Sequence, residues 1–66
     1  MSPTILRKGP YRFYFFSNEG TEPPHIHIKG ADGEAKFWLN PVVLAYNHGY
    51  AGHELGRLEK IIEETP

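Results

Sequence analysis

Two imidazoles stand two residues apart in the stretch Pro23-Pro24-His25-Ile26-His27-Ile28-Lys29. On a β-strand alternate residues share a face, so His25 and His27 lie side by side while Ile26 and Ile28 turn the other way. Four roles suit such a pair: metal ligation, proton transfer, an anion-binding surface, or a polar face turned to water. A catalytic zinc takes three protein ligands as a rule. Here no acidic residue is fixed beside the pair, and His48 and His53 reach it only if the fold brings them round. Phosphodiester cleavage needs one neutral and one charged imidazole, together with a cation for the phosphate. Arg12, Lys29 and Lys36 are suitable cations, and an imidazole titrating near a pKa of about 6.5 exchanges protons at neutral pH.

The elements that must position these groups are legible from turn residues and periodicity. Residues 4–7 (TILR) and 11–17 (YRFYFFS) read as strands from their β-branched and aromatic content. Residues 18–24 (NEGTEPP) read as a loop, and the two prolines stiffen the approach to His25. Residues 25–29 alternate as a half-buried strand should, residues 30–33 (GADG) form a tight turn, and residues 34–39 (EAKFWL) return as the next strand. Asn40 reads as a helix N-cap and Pro41 as a first helical residue, which predicts a short helix over 41–48 that stops at Gly49. His48 would then be a cation at that helix's C-terminus. A second helix is expected from about Ala51 to Glu64, with Leu55, Leu58, Ile61 and Ile62 on one stripe. The fold class expected is α+β: one domain, a four-stranded antiparallel sheet followed by two helices packed on one face, in the order β-β-β-β-α-α.

Setting Gly30 opposite Gly33 fixes the register of the central hairpin. Lys29 then opposes Glu34, His27 opposes Lys36 and His25 opposes Trp38. On the other face Ile28 meets Ala35 and Ile26 meets Phe37. The apolar face must be the one under the helices, which leaves His25, His27, Lys29, Lys36 and Trp38 on the opposite side. Strand 11–17 is aromatic on both faces; Arg12 and Tyr14 fit best beside the histidines, with Arg7 able to join them. Cations, imidazoles and flat rings on one sheet face suit single-stranded RNA, whose bases stack on aromatics and whose phosphates pair with Lys and Arg. Trp38 and Tyr14 serve equally as anchors for a partner protein.

Size and charge narrow the field. A chain of 66 residues holds one domain at most and is marginally stable alone. It has no cysteine, so thiolate chemistry and disulfides are excluded, which points toward a reducing cytoplasm. No apolar run is long enough to span a bilayer and the N-terminus lacks a secretory apolar region, so no membrane association is expected. The net charge of −1 disfavours a strongly basic nucleic-acid binder. The first forty residues nevertheless carry five cations against four acidic groups, so any anion site belongs there.

The residue order "PTILR-GPYRF-FFSNEG-EPPHIHI", then "EAKFWLNPV-LA" and "G----EL--L---IEE", resembles domain-of-unknown-function family 4160 (DUF4160), small bacterial proteins, over nearly the whole chain. The resemblance implies one half of a toxin–antitoxin-type pair, with a cognate small protein as partner and the family's His-x-His falling on His25 and His27 and its N-terminal Arg on Arg7. Two departures stand out. Members carry a Ser or Thr cap before the last helix where this chain has Ala51 and Gly52, and they continue past "IEE" with more helix, whereas this sequence stops at Pro66. Joined to the reading of the sheet face, the resemblance leads to the expectation of a cytoplasmic, toxin-like component acting on RNA, a candidate metal-independent endoribonuclease with no cofactor. His25 and His27 would be its acid–base pair, and Arg7, Arg12, Tyr14, Lys29, Lys36 and Trp38 its substrate contacts. A non-enzymatic interaction module, an antitoxin or partner-binding protein, and a small metal-binding domain using His25 and His27 remain the alternatives, and a dimer is compatible with each.

Overall fold

Five strands and one helix appear in the computed structural model, which describes residues 4–17 and 21–64, with Thr4 by its backbone alone. The strands are β1 (Thr4–Lys8), β2 (Tyr11–Phe16), β3 (His25–Gly30), β4 (Gly33–Leu39) and β5 (Val42–His48), and the helix is α1 (Gly52–Glu64). The strands form one antiparallel sheet in the order β1-β2-β3-β4-β5, each paired with its sequence neighbours. Residues 18–20 of the expected 18–24 loop lie outside the described residues.

This architecture corrects the expected four strands and two helices. Residues 41–48 form no helix: Val42–His48 is the fifth strand, paired with β4. Two adjacent β-branched valines and Tyr46 favour an extended chain. Pairing also satisfies the outer backbone donors and acceptors of β4, which a helix would have left without partners. The Asn40–Pro41 peptide is cis, and these two residues make the β4–β5 turn rather than a helix N-terminus. Asn and Pro signal turns as readily as helix starts, which is why the local signal misled. Ala45 is an extra residue between the Lys36↔Tyr46 and Phe37↔Leu44 pairs, a β-bulge. His48 ends a strand opposite Glu34 instead of capping a helix, and Gly49 takes φ +100° in the bend that follows.

The apolar faces meet as their alternation requires. Phe13, Ile26, Ile28, Ala35 and Phe37 from the sheet enclose Leu58 and Ile62 from α1, and all are buried. Each such side chain contributes roughly 1.5–3 kcal/mol by leaving water, alanine less. Leu55 and Ile61 pack against this core, as their places on the helical stripe require. Tyr50, just after β5, joins the turn of the central hairpin to the start of the helix. Its hydroxyl donates to the Gly30 carbonyl at 2.7 Å, and a Cβ on Gly33 would come within 2.5 Å of its ring. Asn47 holds its backbone from both sides, at 2.9 and 3.1 Å. Burial pushes the Tyr50 phenol up to about 12, so it stays a neutral donor.

Two positions carry avoidable strain or leave a helix end uncapped. In the β3–β4 turn Ala31 and Asp32 take φ of +52° and +65°. Both central residues of a type I′ turn need that left-handed conformation; Asp tolerates it, whereas Ala is penalised by its Cβ. Ala31→Asn should therefore raise stability by about 1 kcal/mol, a melting temperature about 4–8 °C higher; an unchanged or lower midpoint in a thermal melt refutes the assignment. At the helix start the Ala51 carbonyl accepts from Glu54 and Leu55 at 3.0 and 2.9 Å, but its side chain caps nothing. Ala51→Ser supplies the missing acceptor and should add about 1 kcal/mol, read as an increased urea midpoint at constant slope.

Candidate functional site

Register sorts the open face of the sheet into three rows that cross the strands. One end row runs Arg7, Arg12, Lys29, Glu34, His48. The middle row runs Ile5, Tyr14, His27, Lys36, Tyr46, and the other end row Phe16, His25, Trp38, Val43. The hairpin pairs His25 with Trp38, His27 with Lys36 and Lys29 with Glu34, as its turn residues require, and Tyr14 stands beside His27. All eight sequence-derived site residues therefore share this surface.

They do not share one environment. His25 is only 5% exposed. Phe16 stacks on it at 5.1 Å with 13° between the planes, and Trp38 meets it edge-on at 5.9 Å. Its Nδ1 lies 2.9 Å from the Pro23 carbonyl, which can only accept, so Nδ1 carries the proton. Its Nε2 faces a Glu22 carboxylate oxygen at 3.4 Å. Lys36 reaches both oxygens of the same carboxylate, at 3.0 and 3.1 Å, and lies 4.5 Å above the Trp38 ring. Glu22 is thus clasped by two groups of the sheet and ties the segment before β3 across it. The Lys36 ammonium holds this carboxyl below the usual carboxylate range.

His27 differs from its neighbour. Its ring stands 5.3 Å from that of His25 at 75° and makes no hydrogen bond among the described residues. No buried side-chain nitrogen or oxygen there lacks a partner, so the His27 nitrogens reach solvent. Desolvation lowers its pKa below the ordinary imidazole value, and the charges of His25 and Lys36 lower it further, against a smaller opposing pull from Glu34 and Glu22. At neutral pH it is an uncharged ring able both to donate and to accept. It lines a hollow of about 330 Å³ with Tyr14, Phe16, Lys29 and Glu34. Tyr46 donates to Glu34 at 2.7 Å, and that bond, with Lys29 nearby, keeps the Glu34 carboxyl below its usual range. A second hollow, of about 420 Å³, lies against Trp38 and is walled by Pro23, Pro24, Asn40, Pro41 and Val43.

Arg7, Arg12 and Lys29 are exposed and, among the described residues, form no ion pair. They face one another across neighbouring strands, about 4.8 Å apart at the backbone. Like charges directly opposite one another destabilise a sheet unless an anion comes between them. Among the described residues no cluster of three or more His, Asp or Glu could hold a metal ion. His48 lies at the far end of the cation row and His53 on the helix, away from the pair.

A family profile described as a domain of unknown function, DUF4160, matches residues 11–65. The chain belongs to DUF4160. No curated protein and no solved structure matches it. In this DUF4160 chain, sequence reasoning left out four residues that shape the surroundings of the two histidines. Phe16 shares parity with Arg12 and Tyr14, a signal that was available. Glu34 opposes Lys29 in the register read from the turn, a second available signal. Tyr46 was hidden by the helix expected over 41–48, and Glu22 by its place in a loop without periodicity. Among the described residues no helix is long and apolar enough to cross a membrane.

The environment of His27 sets a pH dependence. Its folded pKa is depressed, so the unfolded chain binds the proton more tightly. The stability that its neutral form confers is complete above about pH 6.5 and is lost as pH falls from there through the folded pKa. In an NMR titration the His27 ring should show a midpoint below about 6.5, shifted upward in Lys36→Gln. A wild-type midpoint at or above that value contradicts the described environment.

Proposed function

We propose that this DUF4160 chain binds single-stranded RNA on the open face of its sheet, as the RNA-facing, toxin-like member of a bacterial two-protein module. The row of cations that form no ion pair among the described residues, set beside aromatic rings, carries the reading. Arg7 and Arg12 take phosphate, Tyr14 and Phe16 offer surfaces on which bases stack, and Lys29 lines the hollow beside them. The net charge of −1 does not oppose this, because Lys36, the remaining cation of the face, is neutralised by Glu22 while the end row is not. Of the two imidazoles, His27 is the one a bound strand can touch. His25, shut beneath Phe16 and Trp38 with partners at both nitrogens, acts as a positioning residue. The proposal is therefore binding, with proton exchange confined to His27.

A second reading rests on a separate observation. Ile5, Val43, Leu44 and Tyr46, on the two edge strands, expose between 40 and 54% of their surface, as a partner-binding protein's anchors would.

Fluorescence anisotropy with a labelled mixed-sequence RNA oligonucleotide separates the two. Wild-type chain should bind with an affinity that falls steeply with salt. Arg12→Ala should weaken binding and reduce the log–log salt slope by roughly 0.7, and Tyr14→Ala should cost about 1–3 kcal/mol. Absence of binding at low salt overturns the RNA reading. A partner protein captured by wild type, lost with Val43→Asp and retained with Arg12→Ala, favours the interaction module.

A further inference from the structure

We propose that the hollow between β2, β3 and β4 is a base-reading site selective for guanine, an inference that rests on the RNA reading above. Donors and acceptors stand in a fixed order around its wall. Lys29 and Glu34 are directly opposed across β3 and β4 and both line the hollow. Glu34 is an acceptor-only group with two oxygens in a fork. One oxygen takes the Tyr46 hydroxyl at 2.7 Å, which fixes the rotamer; the other has no partner among the described residues. The hollow therefore presents a fixed pair of acceptors next to a cationic donor.

Guanine is the base complementary to that order. Its Watson–Crick edge carries two adjacent donors, the 2-amino group and N1–H, followed by the O6 acceptor, with N7 beyond it. The donors match the Glu34 fork and O6 matches the Lys29 ammonium. Adenine, cytosine and uracil each turn at least one ring or carbonyl acceptor toward the carboxylate, where two lone-pair groups repel. Tyr14 and Phe16 supply sequence-tolerant stacking for whichever base enters. His27, uncharged and with no hydrogen-bond partner for its ring among the described residues, adds a donor and an acceptor to the lining without a second positive charge. Tyr46 acts through Glu34 and is a positioning residue.

The test uses the full chain and labelled oligouridine RNAs carrying one central guanosine, inosine, adenosine or cytidine, with all-uridine as reference, read by anisotropy. The guanosine oligonucleotide should bind about 5- to 150-fold more tightly than the adenosine, cytidine and all-uridine ones, the range expected of one bidentate base contact. Inosine, which lacks the 2-amino group, should fall between. Glu34→Gln, of the same shape, should abolish the guanosine-to-adenosine ratio, and Tyr46→Phe should reduce it. Thermal melts of both variants verify folding, and should Glu34→Gln fail to fold, the inosine series alone decides. Binding of all oligonucleotides with equal affinity, or a guanosine preference that survives Glu34→Gln, overturns this inference and leaves the RNA reading standing. Failure of every oligonucleotide to bind overturns both.

Discussion

Gly30 faces Gly33 across a turn whose two central residues, Ala31 and Asp32, both take left-handed backbone angles. The pairing decides which side chains share each face of the sheet. Because side chains alternate with a period of two, a slip by one residue would send Ile26 and Ile28 to the open side and both histidines under the helix. The register is held from outside as well. The Tyr50 ring fills the space over Gly33 while its hydroxyl donates to the Gly30 carbonyl at 2.7 Å. The carbonyl of Pro10 crowds the place where a Cβ on Gly30 would stand, and Gly30 takes φ +129°. One turn is thereby fixed by β2 on one side and by the segment leading into α1 on the other. The composition of the open surface follows from burying the isoleucines rather than from any local preference of the polar residues.

How much of this was legible depends on the range of the signal. The central hairpin was readable because each of its determinants is local: alternation in His25–Lys29, glycines at the turn, alternation again through Glu34–Leu39. Its register emerged as the turn required, and with it the neighbours of both histidines. The helix α1 was readable from its stripe, and the lack of a side-chain cap at Ala51 from its residue type. The stretch 41–48 was not. An eight-residue run holding Val-Val, Leu, Ala and Tyr satisfies helix and strand alike, and length arbitrates poorly near that size. What decided it is non-local. The outer edge of β4 needs a partner, and Val42–His48 is the segment that follows directly.

The candidate site was legible as a surface and not as a set of environments. Parity placed His25 and His27 side by side but says nothing of what covers each ring. His25 is covered because Phe16, across one strand, and Trp38, across the other, are both large and both flat. His27 is left open where it lines the hollow, and Lys36, its partner on β4, reaches Glu22 over the Trp38 ring. The acid that organises this corner comes from a loop without periodicity, where sequence patterns carry least information.

Electrostatics then follows from that one carboxylate. By engaging Lys36 and facing His25, Glu22 removes net positive charge from the middle and aromatic rows. Positive potential is left at the opposite end, where Arg7, Arg12 and Lys29 stand in adjacent strands. A chain whose formal charge is −1 can thus present a cationic edge, because it is the placement of charge and not its sum that an anion meets at close range. The same division explains why the two histidines differ. His25 has an anion beside it and a carbonyl on its other nitrogen. His27 is desolvated among rings, with His25 and Lys36 beside it, so its neutral form is favoured. On the RNA reading proposed above, a strand entering from the cationic end meets the neutral imidazole, with the buried one and its carboxylate as the frame around it.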